Sequence, residues 1–465
     1  MKMTIQEYLD ALKGKKAAVL GIGVSNTPLI HMLLRAGVRV TACDKRSREE
    51  FGGKIEDLES LGAKVWLGED YLDHLSGQDV IFRTPGMRPD LPQLAAAVAE
   101  GSLLTSEMEV FFQVCPCPII GVTGSDGKTT TTTIIAELLK AAGNTVYLGG
   151  NIGKPLLPDA GMMEPTDYAV VELSSFQLMT MDLSPHIAVV TNLAPNHLDV
   201  HKSMGEYISA KENIFLHQSP ADRVILNADN EITRSFTGSA PGAVTFFSRR
   251  EEPDGTAVFL RGDTIWVRAE QGERPVLSRK DILLPGDHNV ENYMAAIAAV
   301  NGLIKDETIR AFAARFSGVE HRIELVRTLK GVRYYNDSIA SSPTRTMAGL
   351  KCFPEKVILI AGGYDKHIPF DDLGPAIISH AKRLILTGDT SPKIRAAVEA
   401  APEYVEGRPV MEEYHDFRDA VEAAYKAAQP GDVVILSPAC ASFDKFKNFM
   451  ERGNTFKQIV RELEE

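Results

Sequence analysis

Residues 119–133 read IIGVTGSDGKTTTTT, an apolar run that enters a glycine-rich loop, meets Lys-Thr and becomes amphipathic. That order supplies what holding a polyphosphate requires. Gly124 and Gly127 free backbone N–H groups to point at anionic oxygens, Lys128 adds a point charge, and Thr129 offers a hydroxyl to Mg²⁺. Ser125, Asp126 and Thr130 complete the loop, and the helix expected through Ile134, Ile135, Leu138 and Leu139 adds its N-terminal dipole. The common phosphate-loop pattern is not fully matched, because Val122 stands where a glycine is expected and Gly121 is displaced by one residue. A ligand-free glycine turn is the bland alternative; strand, loop, Lys-Thr and helix in succession argue against it.

Other side chains can serve the same chemistry. Glu172 ends the apolar run TDYAVVEL, which delivers its carboxylate to the strand's carboxyl end, the usual place for a Mg²⁺-binding acid opposite a phosphate loop. A surface strand-end Glu is the alternative. In TNLAPNHLDVH, His197 and Asp199 fall at a strand-to-loop junction where they can join Glu172 around one metal–phosphate centre; the spacing identifies no zinc site, and His201 is read as exposed. In GEYISAKENIFLH, Ile208, Ile214 and Phe215 put Lys211 on the apolar helix face. Its stem can snorkel to solvent. Alternatively, in a closed site, Lys211 loses its proton and takes up CO₂ as an anionic, metal-bridging carbamate. Asn289 and Asn292, three apart at a helix start, can meet a nucleotide or merely cap the helix. Arg322 in GVEHRIELV and Asp337 in YYNDSIASSPTRT offer a guanidinium for a γ-phosphate and a carboxylate for a ribose.

These residues need α/β scaffolding. KKAAVLGIGVSNTPLIHMLLRAGVRVTACDK reads strand, glycine turn, helix, strand, with Asp44 closing the second strand. Gly21 and Gly23 are followed by Asn26 rather than a third glycine, so the dinucleotide fingerprint of a nicotinamide cofactor is incomplete. Asp44 can accept from a ligand or stand solvated. DVIFRTPGM ends in Thr84, Pro85 and Gly86, beyond the carboxyl end of a parallel strand, where ligands gather. TVYLGGN, DYAVVELSSFQL, HIAVVTNL and RVILNAD repeat strand and helix. AVTFFS, AVFLRGDTIWVRA and DILLPG form a β-rich excursion, and VILIAGG, RLILTG and DVVILSPA a further α/β unit. The fold class is α/β in three domains: a Rossmann-like N-terminal domain (1–106), a central phosphate-loop ATPase-type domain with a mainly parallel sheet (107–318) and a Rossmann-like C-terminal domain (319–465).

At 465 residues the chain exceeds one ordinary core. Fifty basic against 62 acidic residues leave a net charge of -12, which argues against nucleic acid or an anionic membrane as partner. The five cysteines, Cys43, Cys115, Cys117, Cys352 and Cys440, show no paired metal-ligand spacing, and neither a disulfide framework nor structural zinc is expected. The polar N-terminus resembles no leader and no segment approaches a membrane span, so a cytoplasmic protein without membrane insertion is expected.

The blocks TGSDGKTT, GGNIG, ELSSFQL, NHLDVH, AKENIF, HRIE, NDSIASSPTRT, AGGYDK and SPACASFDKFKNFMERGNTF follow the order of the ATP-dependent Mur ligases, and the chain resembles that family over essentially its whole length. The final block is similar to the branch that adds D-glutamate to UDP-N-acetylmuramoyl-L-alanine, and no DNPR-type motif of the diaminopimelate- or lysine-adding branch is present.

The resemblance implies an amide ligase that works through an acyl phosphate, with ATP and two Mg²⁺ ions, and a monomeric protein is expected. It implies that Lys128 stabilises the transferring phosphoryl group, that Thr129 and Glu172 hold one Mg²⁺, and that His197 and carbamylated Lys211 hold a second. Asn289, Asn292, Arg322 and Asp337 would contact nucleotide. Val24, Ser25, Asp44, Arg46, Thr84, Pro85, Gly86 and Asn151 would line the UDP-sugar path, and Ser341, Lys366, Ser442, Phe443 and Phe449 would receive D-glutamate. Asp126 stands where many relatives have Asn, and Ile339 where many have Lys, so neither position's usual contact carries over. A folate-using amide ligase of the same superfamily and a non-catalytic phosphate-loop protein are the rival readings.

Overall fold

Runs such as Ala17–Leu20, Ile119–Thr123 and Val357–Ala361 are buried at every position, the pattern of strands covered on both faces of a parallel sheet. The structure, a computed structural model, describes residues 3–195, 200–366 and 368–464. Among the described residues these runs assemble into three sheets. The first has five parallel strands in the order Lys64–Leu67, Arg39–Asp44, Lys16–Leu20, Val80–Phe82, Leu103–Thr105. The order reverses beside Lys16–Leu20, so the loops after Leu20, Asp44 and Phe82 open on a topological switch point.

The second sheet has nine strands. Val146–Gly150, Tyr168–Glu172, Ile119–Thr123, Ile187–Val190, Arg223–Asn227, Ala243–Ser248 and Ala257–Arg261 are joined in parallel, and Thr264–Ala269 and Gly272–Ser278 extend the edge antiparallel. Here the sequence reading is corrected. DILLPG is not a strand: Arg279–Asp281 is a 3₁₀ turn, and the closing strand is Gly272–Ser278, obscured in sequence by its polar residues and Pro275. An edge strand tolerates proline because one side of it has no ladder to feed.

The third sheet runs Glu324–Leu329, Val332–Asn336, Val433–Leu436, Val357–Ala361, Ala381–Leu386, Val410–Glu413, with its first pair antiparallel and the rest parallel. The chain forms two compact units, Met1–Arg279 with Glu291–Phe312, and Lys280–Val290 with Ala313–Glu465. The first holds the five- and nine-stranded sheets. No helix among the described residues is long and apolar enough to cross a membrane.

One joint of the first unit has a testable electrostatic signature. Helix Glu107–Val114 is capped by Ser106 and buries Glu107, whose Oε1 accepts from the Leu157 N–H at 2.9 Å. Burial pushes the Glu107 carboxyl up from its ordinary 4.5 to about 7, against the pull of backbone donors at Leu157 and Leu156. The folded state therefore holds a proton that the unfolded chain has released between pH 4.5 and about 7. The stabilisation from this group is full below the lower value and is lost as pH rises through the window. Across that window the loss is on the order of 3 kcal/mol. In Glu107→Gln that part of the decline disappears, and urea midpoints measured from pH 5 to 8 vary less with pH than in the wild type.

Candidate active site

The phosphate loop runs from Ile119–Thr123 into helix Lys128–Ala141, and its shape is held from the side by the neighbouring strand's exit. The Ser125 N–H donates to Asn192 O at 2.8 Å, the Asp126 N–H to Asn192 Oδ1 at 2.9 Å, and Thr191 Oγ1 to Asp126 O at 2.6 Å. Ser125 Oγ donates to Ala194 O at 2.9 Å and lies 3.0 Å from Tyr207 Oη. Gly124 has φ +146, and a Cβ there would lie 1.9 Å from Thr191 Oγ1, so both backbone angle and space demand glycine. Asp126 is exposed. Thr130 is buried in the first helical turn.

Two lysines converge on one carbonyl. Lys128 Nζ donates to Gly124 O at 3.0 Å and Ser125 O at 2.9 Å, while Lys211 Nζ donates to the same Gly124 O at 2.9 Å and to Thr123 Oγ1 at 3.0 Å. Lys211, on helix Met204–Glu212, is 1% exposed, with its Nζ 4.9 Å from the Tyr207 ring centroid. This decides against snorkelling. Burial, then repulsion from Lys128, holds the Lys211 amine well below the ordinary lysine range, and Glu172 only partly opposes this. A neutral amine is the form that reacts with CO₂.

Glu172 is buried, with both oxygens engaged: Oε2 accepts from Thr129 Oγ1 at 2.7 Å and Oε1 from Asn151 Nδ2 at 2.8 Å. A hydroxyl and a carboxylate held together beside a phosphate loop suit Mg²⁺, a hard cation that takes oxygen ligands. Asn151, which the resemblance assigns to the UDP-sugar path, thus meets Glu172. Its N–H also donates to Glu172 O at 2.8 Å. Gly150 makes this approach possible: its φ is +94, and a Cβ would fall 2.2 Å from Glu172 O and 3.0 Å from Glu172 N, both backbone atoms. Gly150→Ala is therefore expected to destabilise by about 2 kcal/mol or more. It should also displace the carboxylate, so the Mg²⁺ concentration giving half-maximal activity rises severalfold in a metal titration.

Asn292 Oδ1 accepts from Thr131 Oγ1 at 3.2 Å behind the loop, and Asn289 Nδ2 donates to Pro285 O at 2.7 Å. His197 and Asp199 lie outside the described residues. His201 corrects the sequence reading: it is buried, with Nε2 2.9 Å from Ser175 Oγ and its ring stacked 5.2 Å from Phe176. Aromatic neighbours separated from it in sequence cover it, a burial that local spacing cannot show.

At the switch point, Asp44 is buried. Its Oδ2 accepts from the Ile22 N–H at 2.7 Å and Arg46 at 2.9 Å, and its Oδ1 from the Arg46 N–H at 3.0 Å. Burial alone would raise this carboxyl, but the bonds from Arg46 and Ile22 outweigh it and hold it below its usual value. Val24 and Ser25 are exposed at the glycine turn, and Asn26 replaces the missing third glycine with side-chain donation to Leu20 O at 2.9 Å and Gly21 O at 3.1 Å. Sequence reasoning missed Arg83. Buried, it donates to Pro85 O at 3.2 Å, Met87 O at 3.0 Å, Phe176 O at 3.0 Å and Thr180 Oγ1 at 2.6 Å, fixing the Thr84–Pro85–Gly86 loop. The available signal was a guanidinium ending an otherwise apolar strand, VIFR.

The second unit gathers the downstream candidates. Asp337 is buried, accepts from Ser437 Oγ at 2.8 Å and the Ile323 N–H at 3.3 Å, and is raised to about 7 by burial. The Arg322 N–H donates to Val319 O at 2.9 Å, and the guanidinium is close enough to oppose that rise. Ser341 N–H donates to Ile339 O at 2.8 Å. The exposed Phe443 packs edge-on to Tyr364 at 5.8 Å, with Lys366 Nζ 5.7 Å from its centroid. Ser442 is buried, and Phe449 opens the last helix and meets His321 edge-on at 5.8 Å. Arg452, also missed, pins this cluster by donating to Ser338 O at 2.9 Å, Ala441 O at 2.9 Å and Cys440 O at 3.1 Å.

Comparison with known proteins bears on this arrangement. Residues 15–106 match the Mur ligase MurD-like N-terminal domain, 122–300 the Mur ligase middle domain, and 321–440 the Mur ligase glutamate ligase domain. The chain is 53% identical to the UDP-N-acetylmuramoylalanine--D-glutamate ligase of Acetivibrio thermocellus and 50% identical to that of Ruminiclostridium cellulolyticum, over 100% of both chains in each case. Its fold is similar to that of a UDP-N-acetylmuramate-alanine ligase from Thermotoga maritima, at TM-score 0.55 and 18% identity, covering 96% of this chain and 99% of the other. It is also similar to a UDP-N-acetylmuramoyl-L-alanyl-D-glutamate--2,6-diaminopimelate ligase, at TM-score 0.56 and 19% identity, covering 100% of both chains. With three successive domains matched and half its residues shared with full-length relatives, the chain belongs to the Mur ligase family.

Proposed function

We propose that this protein is the ATP-dependent acid–D-amino-acid ligase that joins D-glutamate to UDP-N-acetylmuramoyl-L-alanine in peptidoglycan precursor synthesis. The observation that carries the reading within the site is the pair of lysines on Gly124 O beside the Thr129–Glu172 pair, in a chain 53% identical to a ligase of that name. A carboxylate is a poor acceptor of an amine. Transfer of the γ-phosphoryl group of ATP to the substrate carboxylate gives an acyl phosphate and ADP. The D-glutamate amine attacks its carbonyl carbon, phosphate leaves, and an amide and a proton remain.

In this reading Gly124, Ser125, Asp126, Gly127 and Thr130 wrap the polyphosphate with backbone N–H groups while Lys128 neutralises the transferring group. Asn289, Asn292, Arg322 and Asp337 contact the nucleotide. Mg²⁺ supplies neutralisation of phosphate oxygens when bound. Thr129 and Glu172 hold one ion, and His197 with Lys211 holds a second. The neutral Lys211 amine takes up CO₂ with loss of a proton, which converts a buried base into a carbamate anion. Val24, Ser25, Asp44, Arg46, Thr84, Pro85, Gly86 and Asn151 line the UDP-sugar path. Lys366 pairs a carboxylate of D-glutamate, with Ser341, Ser442, Phe443 and Phe449 around it. The domains divide at 106/107 and 318/319, and the enzyme acts as a cytoplasmic monomer.

The test is phosphate release from ATP with UDP-N-acetylmuramoyl-L-alanine, comparing D-glutamate, L-glutamate and no amino acid. Release that requires D-glutamate, with the amide product found by mass, is the expected result. Nucleotide binding without release under any of these conditions would overturn it in favour of another acceptor.

A further inference from the structure

Away from the phosphate loop, the Cys115 sulfur of the first unit lies between those of Cys117 and Met163. Cys115 closes helix Glu107–Val114, Cys117 precedes strand Ile119–Thr123, and Met163 follows the 3₁₀ segment Leu157–Met162. Cys115 Sγ lies 3.5 Å from Cys117 Sγ and 4.0 Å from Met163 Sδ. All three residues are buried, while Pro116, between the cysteines, and Met162, beside the methionine, are exposed. Sequence spacing alone showed no ligand set, because Met163 joins from 46 positions beyond Cys117 and only the fold brings it there.

The geometry points to a binding site for one soft monovalent cation of the Cu(I) or Ag(I) class, held by Cys115, Cys117 and Met163. Three sulfurs in a plane around one metal, each about 2.3 Å from it, lie about 4.0 Å from one another, close to the two separations seen. Thiolate with thioether is a donor set that selects Cu(I), whereas thioether is a poor partner for the harder divalent ions. Binding with loss of both thiol protons leaves one net negative charge on the cluster: two S–H bonds break, three metal–sulfur bonds form, and no electron is transferred. The occupied site would tie a helix end, a strand start and a turn together, so a cation bound only in the folded state raises stability by mass action.

The test uses the full-length chain, reduced and kept anoxic, with Cu(I) presented in competition with bicinchoninate. The wild type is expected to withdraw one equivalent per chain more than C115S/C117S, which retains Cys43, Cys352 and Cys440 as internal controls. The near-isosteric Met163→Leu should bind about tenfold more weakly, and thermal unfolding of the wild type should shift upward with Cu(I) by several degrees. X-ray absorption of the loaded wild type reports the ligands without any variant, and three sulfurs at about 2.3 Å are expected. Equal uptake by wild type and C115S/C117S, a shell containing nitrogen or oxygen, or equally tight Zn(II) binding would each overturn the proposal.

Discussion

Lys211→Ala is expected to lower ligase turnover by about 10³-fold, and acetate or formate at high concentration to restore part of it. The amine is buried, shares Gly124 O with Lys128 and is held well below the usual lysine range, so its service as a cation is disfavoured. Its service as a carbamate is not. Alanine removes the side chain and leaves a space into which a small carboxylate can bring the missing anion. Lys211→Arg, which carries a permanent charge into the same site, should not be rescued. Steady-state phosphate release with and without the added acids checks this. A variant that folds, retains ATP binding and gains nothing from either acid would show that Lys211 acts through packing and hydrogen bonding alone.

Lys128→Met is expected to cost a comparable factor, about 10³-fold in kcat, with a smaller change in ATP affinity. The backbone N–H groups of the loop remain, and it is their geometry that binds the polyphosphate. Lys128 lies at the first position of its helix with its amine folded onto Gly124 O and Ser125 O, which holds it at the loop. A second effect follows from their proximity. Removing Lys128 takes away the repulsion that helps to depress Lys211, so the Lys211 amine should titrate higher in Lys128→Met than in the wild type. Isothermal titration with a non-hydrolysable ATP analogue separates binding from turnover. A large loss of affinity with unchanged kcat would overturn the assignment.

Much of this was legible in the chain, and for identifiable reasons. A phosphate loop is local: strand, glycines, Lys-Thr and helix are contiguous, so residues 119–133 announced their geometry without a partner. Fully apolar strands such as VVIL and VILIA likewise carry their burial in their composition. Lys211 was half legible. Helical periodicity put it on the apolar face, but whether its amine escaped to water depended on Thr123, Gly124 and Tyr207, which come from other elements. His201 was misread for the same reason, and DILLPG because apolar character was mistaken for ladder pairing. Arg83 and Arg452 were missed because a buried guanidinium looks like any other arginine until the carbonyls it satisfies are placed around it.

By itself, then, the sequence determined the α/β class, the order of its elements, the phosphate loop and the family whose motifs it repeats. These follow from contacts within a few residues of one another or from short motifs. Only the tertiary structure decided that two lysines share one carbonyl, that Asn151 meets Glu172 through the backbone freedom of Gly150, and that Cys115 meets both Cys117 and Met163. Protonation state and ligand geometry depend on distances between segments remote in the chain, and those distances are set by packing.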